Sequence, residues 1–185
     1  IENNTVTNFE EYGIYFRSSQ NSTVTYNRLF SMDGGGWKRG IDGDSGGISS
    51  SVSNNYVNMY QTDDWEESIG IVCHDCTLEQ DTVYTYGDWD DDVGIRAIRA
   101  DRSIIKNCNI YISHHPNVDG GGNPTAIESY ANNDNRSYID GNTITCNNGT
   151  FGIWASYADI ENNNINGQNN NRWAIGHGDS NVIRN

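Results

Sequence analysis

Proline, methionine and cysteine are scarce in this 185-residue chain, at two, two and four residues, and its eleven basic side chains are outnumbered by twenty-five acidic ones. The resulting formal charge of -14 repels the phosphate backbone that dominates nucleic-acid affinity, which excludes nucleic acid as a partner class. No apolar run approaches the roughly eighteen residues of a spanning helix, so no membrane span is expected. The opening "IENNTVTN" lacks the charged start and apolar centre of a signal peptide, and the chain reads as a mature piece. Four cysteines are too few to staple a fold of this length. With 35% hydrophobic residues, twenty glycines and abundant asparagine and serine, long amphipathic helices are not expected either.

What the chain does have is a repeat. One unit reads apolar-x-x-Asn-x-apolar: "IENNTV", "VTYNRL", "VSNNYV", "LEQDTV", "IIKNCNI", "IDGNTI", "IENNNI" and "VIRN". Its central column is Asn4, Asn27, Asn55, Asp81, Cys108, Asn142, Asn163 and Asn185, with steps of 23, 28, 26, 27, 34, 21 and 22 residues. A second unit alternates with it, "GIYF", "GIDG", "GIVC", "GIRA", "AIES", "GIWA" and "AIGH", carrying Ile14, Ile41, Ile71, Ile95, Ile127, Ile153 and Ile175. A period of this size with short β-type segments marks a parallel β-solenoid. Each segment holds too few apolar residues to bury anything alone, whereas stacking at roughly 4.8 Å lines equivalent positions into ladders and a continuous core. Asparagine suits the bend, because it tolerates left-handed backbone angles and its amide can bond to adjacent coils.

On these repeats the chain resembles the right-handed parallel β-helix superfamily: pectate-lyase-like enzymes, phage tailspikes, periplasmic copper-processing proteins and archaeal surface proteins, disaggregatase-like ones included. The resemblance spans the whole chain and implies an all-β, single-stranded right-handed parallel β-helix of about seven coils, one domain over 1–185, with variable loops on one side. It says little of function, since coil geometry is shared by unrelated activities. Both ends fall inside the pattern, which predicts a segment of a longer chain with open ends able to pair end to end.

Alternation along the second unit predicts which residues face outward. Following each isoleucine, the outward row reads Tyr15, Asp42, Val72, Arg96, Glu128, Trp154 and Gly176, and two residues on come Arg17, Asp44, His74, Ile98, Tyr130, Ser156 and Gly178. The inward position between them, Phe16, Gly43, Cys73, Ala97, Ser129, Ala155 and His177, is mostly small or apolar. Asp42, Arg96 and Glu128 are the candidate catalytic centre, with Arg96 and Glu128 one rung apart and Asp42 and Arg96 two rungs apart, a gap that admits a water or sugar oxygen. Tyr15, Trp65, Trp89 and Trp154 offer flat surfaces for stacking on sugar rings. The loops preceding these strands vary most in length, where solenoids place function.

Asp88, Asp90, Asp91 and Asp92 supply hard oxygen ligands of the kind calcium takes, as do Asp63, Asp64, Glu66 and Glu67 one coil earlier, although neither loop has the spacing of an EF-hand. Calcium is therefore the candidate cofactor, against the plainer reading of a solvated charge run. Calcium-dependent pectate-lyase-like enzymes use an arginine base, which Arg96 or Arg99 matches in residue type; none of their longer signatures is present. "GHG" at 176–178 resembles the polygalacturonase histidine motif but lacks the paired aspartates before it. "CHDC" at 73–76 has no second pair to complete a zinc site; Cys73 and Cys108 read most simply as buried ladder members, with a local Cys73–Cys76 bridge as the alternative. Copper handling is poorly served by four histidines and two methionines that do not cluster.

The expectation is an extracellular or cell-surface β-helix that engages polysaccharide along the outward face, with cleavage by acid/base hydrolysis or by β-elimination both left open. The alternative is a non-catalytic module of a surface filament, sheath or adhesin, stacked end to end or laterally.

Overall fold

Each short segment carries alternating apolar residues, and each finds its burial only against the same segment of the next coil. The computed structural model describes residues 1–16, 20–31, 37–43, 49–61, 67–87, 94–114, 124–168, 173–177 and 179–184. These form a right-handed parallel solenoid of three seven-stranded sheets. The first sheet holds Thr5–Thr7, Arg28–Ser31, Tyr56–Gln61, Thr82–Gly87, Asn109–His114, Thr143–Asn147 and Asn164–Gln168. In the second lie Tyr12–Tyr15, Lys38–Gly43, Ser68–Cys73, Ile95–Arg99, Thr125–Tyr130, Phe151–Ser156 and Trp173–His177. Thr23–Thr25, Ser51–Ser53, Thr77–Glu79, Ile104–Lys106, Ser137–Asp140, Ala158–Glu161 and Val182–Arg184 make the third. Among the described residues no helix is long and apolar enough to cross a membrane.

Three aliphatic ladders fill the interior. Leu29, Val57, Val83, Ile110 and Ile144 stack in the first sheet. Ile41, Ile71, Ile98, Ile127 and Ile153 do so in the second, and Val24, Val52, Leu78, Ile105, Ile139 and Ile160 in the third. All of these are essentially fully buried. Each contributes about 1.5–3 kcal/mol relative to an exposed side chain, so the stack, and not any single coil, is the folding unit.

The bend between the third and first sheets carries the asparagine column. Asn27 Oδ1 accepts from the Asn4 amide at 2.9 Å, Asn55 Oδ1 from Asn27 at 3.0 Å and Asp81 Oδ1 from Asn55 at 2.9 Å. Above a break at Cys108 the pattern resumes through Asn142 and Asn163. The left-handed residue is the one before this column: Asn3, Tyr26, Asn54, Gln80, Asn107, Gly141 and Asn162 all have φ between 53° and 66°. Asparagine holds the column for its amide bonds to adjacent coils, and tolerance of positive φ is asked of its neighbour. A second left-handed column, with Asn21, Ser49, Asp75, Arg102, Tyr157 and Ser180, turns the chain from the second sheet into the third.

The register of the second sheet differs from the expected one at a single coil. Ile98, not Ile95, stands in the isoleucine ladder, opposite Ile71 and Ile127, while Ile95 pairs with Ser68. The outward row is therefore Tyr15, Asp42, Val72, Arg99, Glu128, Trp154 and Gly176, and the inward position next to it is filled by Ala100, not Ala97. Ile98, expected outside, is buried in the core, and Arg99 faces Glu128 in register.

Candidate binding cleft

The outer face of the second sheet is not uniformly open. Ile69, Val72 and Phe151 are buried there, apart from the central core cluster. A concave opening of about 220 Å³ remains, lined by Arg96, Thr125, Glu128, Tyr130 and Trp154.

The Ile95–Arg99 strand supplies Arg96, whose register partner is Thr125, three residues before Glu128. Its long side chain crosses that offset: Nε forms an ion pair with Glu128 Oε2, and Nη1 meets Glu67 Oε1 at 2.5 Å. Arg99, directly opposite Glu128, brings its Nε to 3.8 Å from the same carboxylate oxygen. Two residues along the Thr125–Tyr130 strand, on the same side of the sheet, Tyr130 donates its hydroxyl to Glu128 Oε1 at 3.0 Å. Burial, and then the Glu128 charge, hold the Tyr130 phenol above its ordinary range, so it remains a donor at physiological pH.

Glu128 thus accepts a hydrogen bond at Oε1 and is held at Oε2 by ion pairing without a hydrogen bond, and its side chain is only 9% exposed, so ion pairing here is less screened than on an open surface. Two arginines and two glutamates leave the cluster without net charge. Glu67, the second carboxylate, is bound to the same guanidinium as Glu128, so these two acids do not form the free pair facing each other across a water that inverting hydrolysis uses. The arrangement is built to donate and accept hydrogen bonds at fixed positions.

One rung from Glu128, Trp154 lies on the outer surface with Phe151 edge-on to it, ring centroids 5.3 Å apart at 86°. The following rung has Gly176, where a Cβ would stand 2.4 Å from the Trp154 ring; glycine there lets the indole lie flat across the next coil. The cleft thus joins a flat aromatic wall to a polar floor.

Of the expected catalytic centre, Arg96 and Glu128 meet and Asp42 does not join them. Asp42 is 1% exposed, accepts from Arg39 at 2.9 Å, and stands three rungs from Glu128 in the outward row. The two-rung gap from Asp42 belongs to Arg99, because Val72 lies between those two in register. Tyr15 is exposed, lies one further coil away, and packs its ring on Tyr12. Trp65, Trp89 and the aspartates Asp88, Asp90, Asp91 and Asp92 fall outside the described residues. Among the described residues no group of three or more His, Cys, Asp or Glu side chains is placed to hold a metal. Glu67, read from sequence as an oxygen ligand, pairs with the Arg96 guanidinium.

A second polar cluster sits at the bend. Arg102 makes a two-pronged contact with Asp75 at 2.8 and 2.6 Å, and His74 Nδ1 lies 3.1 Å from Asp101 Oδ2. The Arg102 hydrogen bond leads the effects that hold the Asp75 carboxyl below its usual range. Cys73 and Cys76 are disulfide-bonded beside it, while Cys108 and Cys146 are buried thiols that burial pushes up. These contacts tie neighbouring coils together.

No protein-family model, no curated protein and no solved structure matches this chain.

Proposed function

We propose that the chain is an extracellular or cell-surface β-helix, akin to the pectate-lyase-like superfamily, that binds polysaccharide in the cleft on its second sheet. The observation that carries this reading is Trp154 laid flat beside a fixed Arg96, Glu128 and Tyr130 cluster in one concave opening. An aromatic face takes the C–H side of a sugar ring, and charged groups fixed by their neighbours bind hydroxyls without paying to be ordered. The superfamily placement is supported by the three-sheet cross-section and the asparagine bend. Location outside the cell is supported by the Cys73–Cys76 disulfide, which persists where thiols are not kept reduced. The paired engagement of Glu128 favours binding over acid/base cleavage.

The test is a polysaccharide panel, acidic and neutral, read by binding and by release of reducing ends or unsaturated products, with and without a chelator. Binding to at least one glycan is expected, weakened roughly tenfold, or about 1.4 kcal/mol, in Trp154→Ala. If no glycan binds, or if Trp154→Ala and Glu128→Gln both bind as the parent does, the cleft is not the site.

A further inference from the structure

The three faces of the solenoid differ in charge. The third sheet presents ionic ladders, with Lys106 on Glu79 at 3.2 Å and Arg184 on Glu161. None of the seven strands of the first sheet contains an aspartate or glutamate, in a chain with twenty-five of them. Its inward residues supply a core ladder, so alternation turns the others outward, and these are threonine, asparagine, serine, glutamine, Arg28 and six aromatic rings. No outward residue is aliphatic.

The rings form two rows running along the solenoid axis. Phe30, Tyr56, Tyr84 and Tyr111 follow one another at 5.5, 5.6 and 5.8 Å between centroids, and Tyr60 stacks on Tyr86 at 5.1 Å and 9°. All six are partly exposed. They are held by one another, by the Arg28 guanidinium 5.8 Å above Phe30, and by Asn147, which donates to the Tyr111 hydroxyl at 2.8 Å. A ligand would find them already ordered.

We propose that this face is a second binding surface, separate from the cleft, for a neutral extended glycan lying along the solenoid axis. The rings repeat at nearly the rung spacing of roughly 4.8 Å, so successive sugars of a straight chain meet successive rings. The flanking amides and hydroxyls both donate and accept, as neutral hydroxyls require. A polyanionic strand would meet a chain of charge -14 with only Arg28 on this face to offset it, which selects against uronates. A second copy of the chain is the weaker occupant: protein interface cores are rich in fully buried apolar side chains, and this face offers no outward aliphatic residue.

The test is affinity electrophoresis of the full chain in native gels, each cast with one soluble polysaccharide: a β-glucan, a mannan, a xylan or polygalacturonate. Retardation is expected in at least one neutral gel. The Tyr84→Ser/Tyr111→Ser variant should weaken it roughly tenfold, equal to about 1.4 kcal/mol, whereas Tyr84→Phe/Tyr111→Phe should leave it in place, and retardation that remains in Trp154→Ala should fall by the same factor when the serine pair is added. Should the serine pair fail to fold by circular dichroism, Asn109→Arg/Thr143→Arg covers the rings with long side chains at exposed positions and should abolish retardation. No retardation in any neutral gel overturns the proposal. So does retardation that Trp154→Ala removes and the tyrosine variants keep, which would assign neutral binding to the cleft. A concentration-dependent dimer in sedimentation velocity that the tyrosine variants dissolve, with no gel retarded, gives the face to a second copy and also overturns it.

Discussion

Replacing Asp81 by asparagine should stabilise the protein at neutral pH and do almost nothing in acid. In the asparagine column each amide nitrogen donates to a carbonyl of the coil below, as Asn55 does to Val24 at 3.0 Å and Asn142 to Ile105 at 3.0 Å. Asp81 keeps the acceptor half of the pattern, taking two bonds from Asn55, but its Oδ2 is buried without a hydrogen-bond partner. Burial raises this carboxyl from 3.8 to about 7. A value raised in the folded state means that stability is full below about pH 4, falls as the pH rises toward 7, and is level above. Some three pH units correspond to about 4 kcal/mol, a large part of the 5–15 kcal/mol typical of a whole domain. Asparagine removes the charge and restores the missing donor, which the register directs at Val52. Urea denaturation of both proteins by far-UV circular dichroism, from pH 4 to pH 8, isolates the effect, because the repulsion among the other acids is common to both. The two should agree near pH 4 and separate by several kcal/mol at pH 8, with the Asn55 amide gaining hydrogen-exchange protection in the variant. A difference that stays constant across this range, or a less stable variant at pH 8, refutes the reasoning.

The architecture was legible because the solenoid writes its period into the chain. An inward aliphatic residue recurs at each strand, since no coil can bury its own, and the column from Asn4 to Asn163 recurs because each amide caps the next coil. The residue bearing positive φ was harder to place: Asn3, Asn54, Asn107, Gly141 and Asn162 are residues that tolerate this angle, but Tyr26 and Gln80 interrupt them, and the asparagine column stands one residue away. The register at one coil was misread because "GIRAIRA" offers two small-Ile pairs three residues apart. Distance to the bend does not resolve them: Ile98 stands ten residues before Cys108, as Ile71 does before Asp81, but Ile95 stands thirteen before it, as Ile14 does before Asn27. The Arg96–Glu128 contact forms despite that shift because an arginine reaches across three residues of offset. Asp42 could not be placed from sequence, because the pattern gives its row and not what covers it, and Arg39 takes its carboxylate. The acid-free first sheet was visible in the sequence once its strands were known; the bias is spread over seven segments, none of which is unusual alone.

Two further predictions concern the fold. The Asp75–Arg102 pair is partly exposed, so Arg102→Ala should cost at most about 1 kcal/mol and less in high salt; because Asp75 is held below 3.8, its share is present at neutral pH and lost below about pH 4. A loss of several kcal/mol in thermal or urea unfolding would place that pair in the core instead. The register itself can be tested by where the chain refuses a larger side chain. A Cβ at Gly70 would stand 2.5 Å from Val83 Cγ1 and 2.6 Å from the Ala97 carbonyl, backbone that cannot retreat without parting two coils. Gly70→Val should therefore destabilise by about 1–3 kcal/mol or more, and Ala97→Val, in the same tight column of small residues preceding the isoleucine ladder, should do likewise. At Gly94 the nearest obstacle is the Arg96 guanidinium at 2.5 Å, the far end of a flexible side chain. Gly94→Ala should thus change stability by no more than about 0.5 kcal/mol while moving Arg96 and weakening the glycan binding proposed for the cleft. The alternative alignment, with Ile95 in the ladder, puts Gly94 in the tight column and Ala97 outside it, and so predicts the reverse order of damage. Urea midpoints of Gly94→Ala and Ala97→Val decide between them, since only one of the two positions can sit against the next coil's backbone.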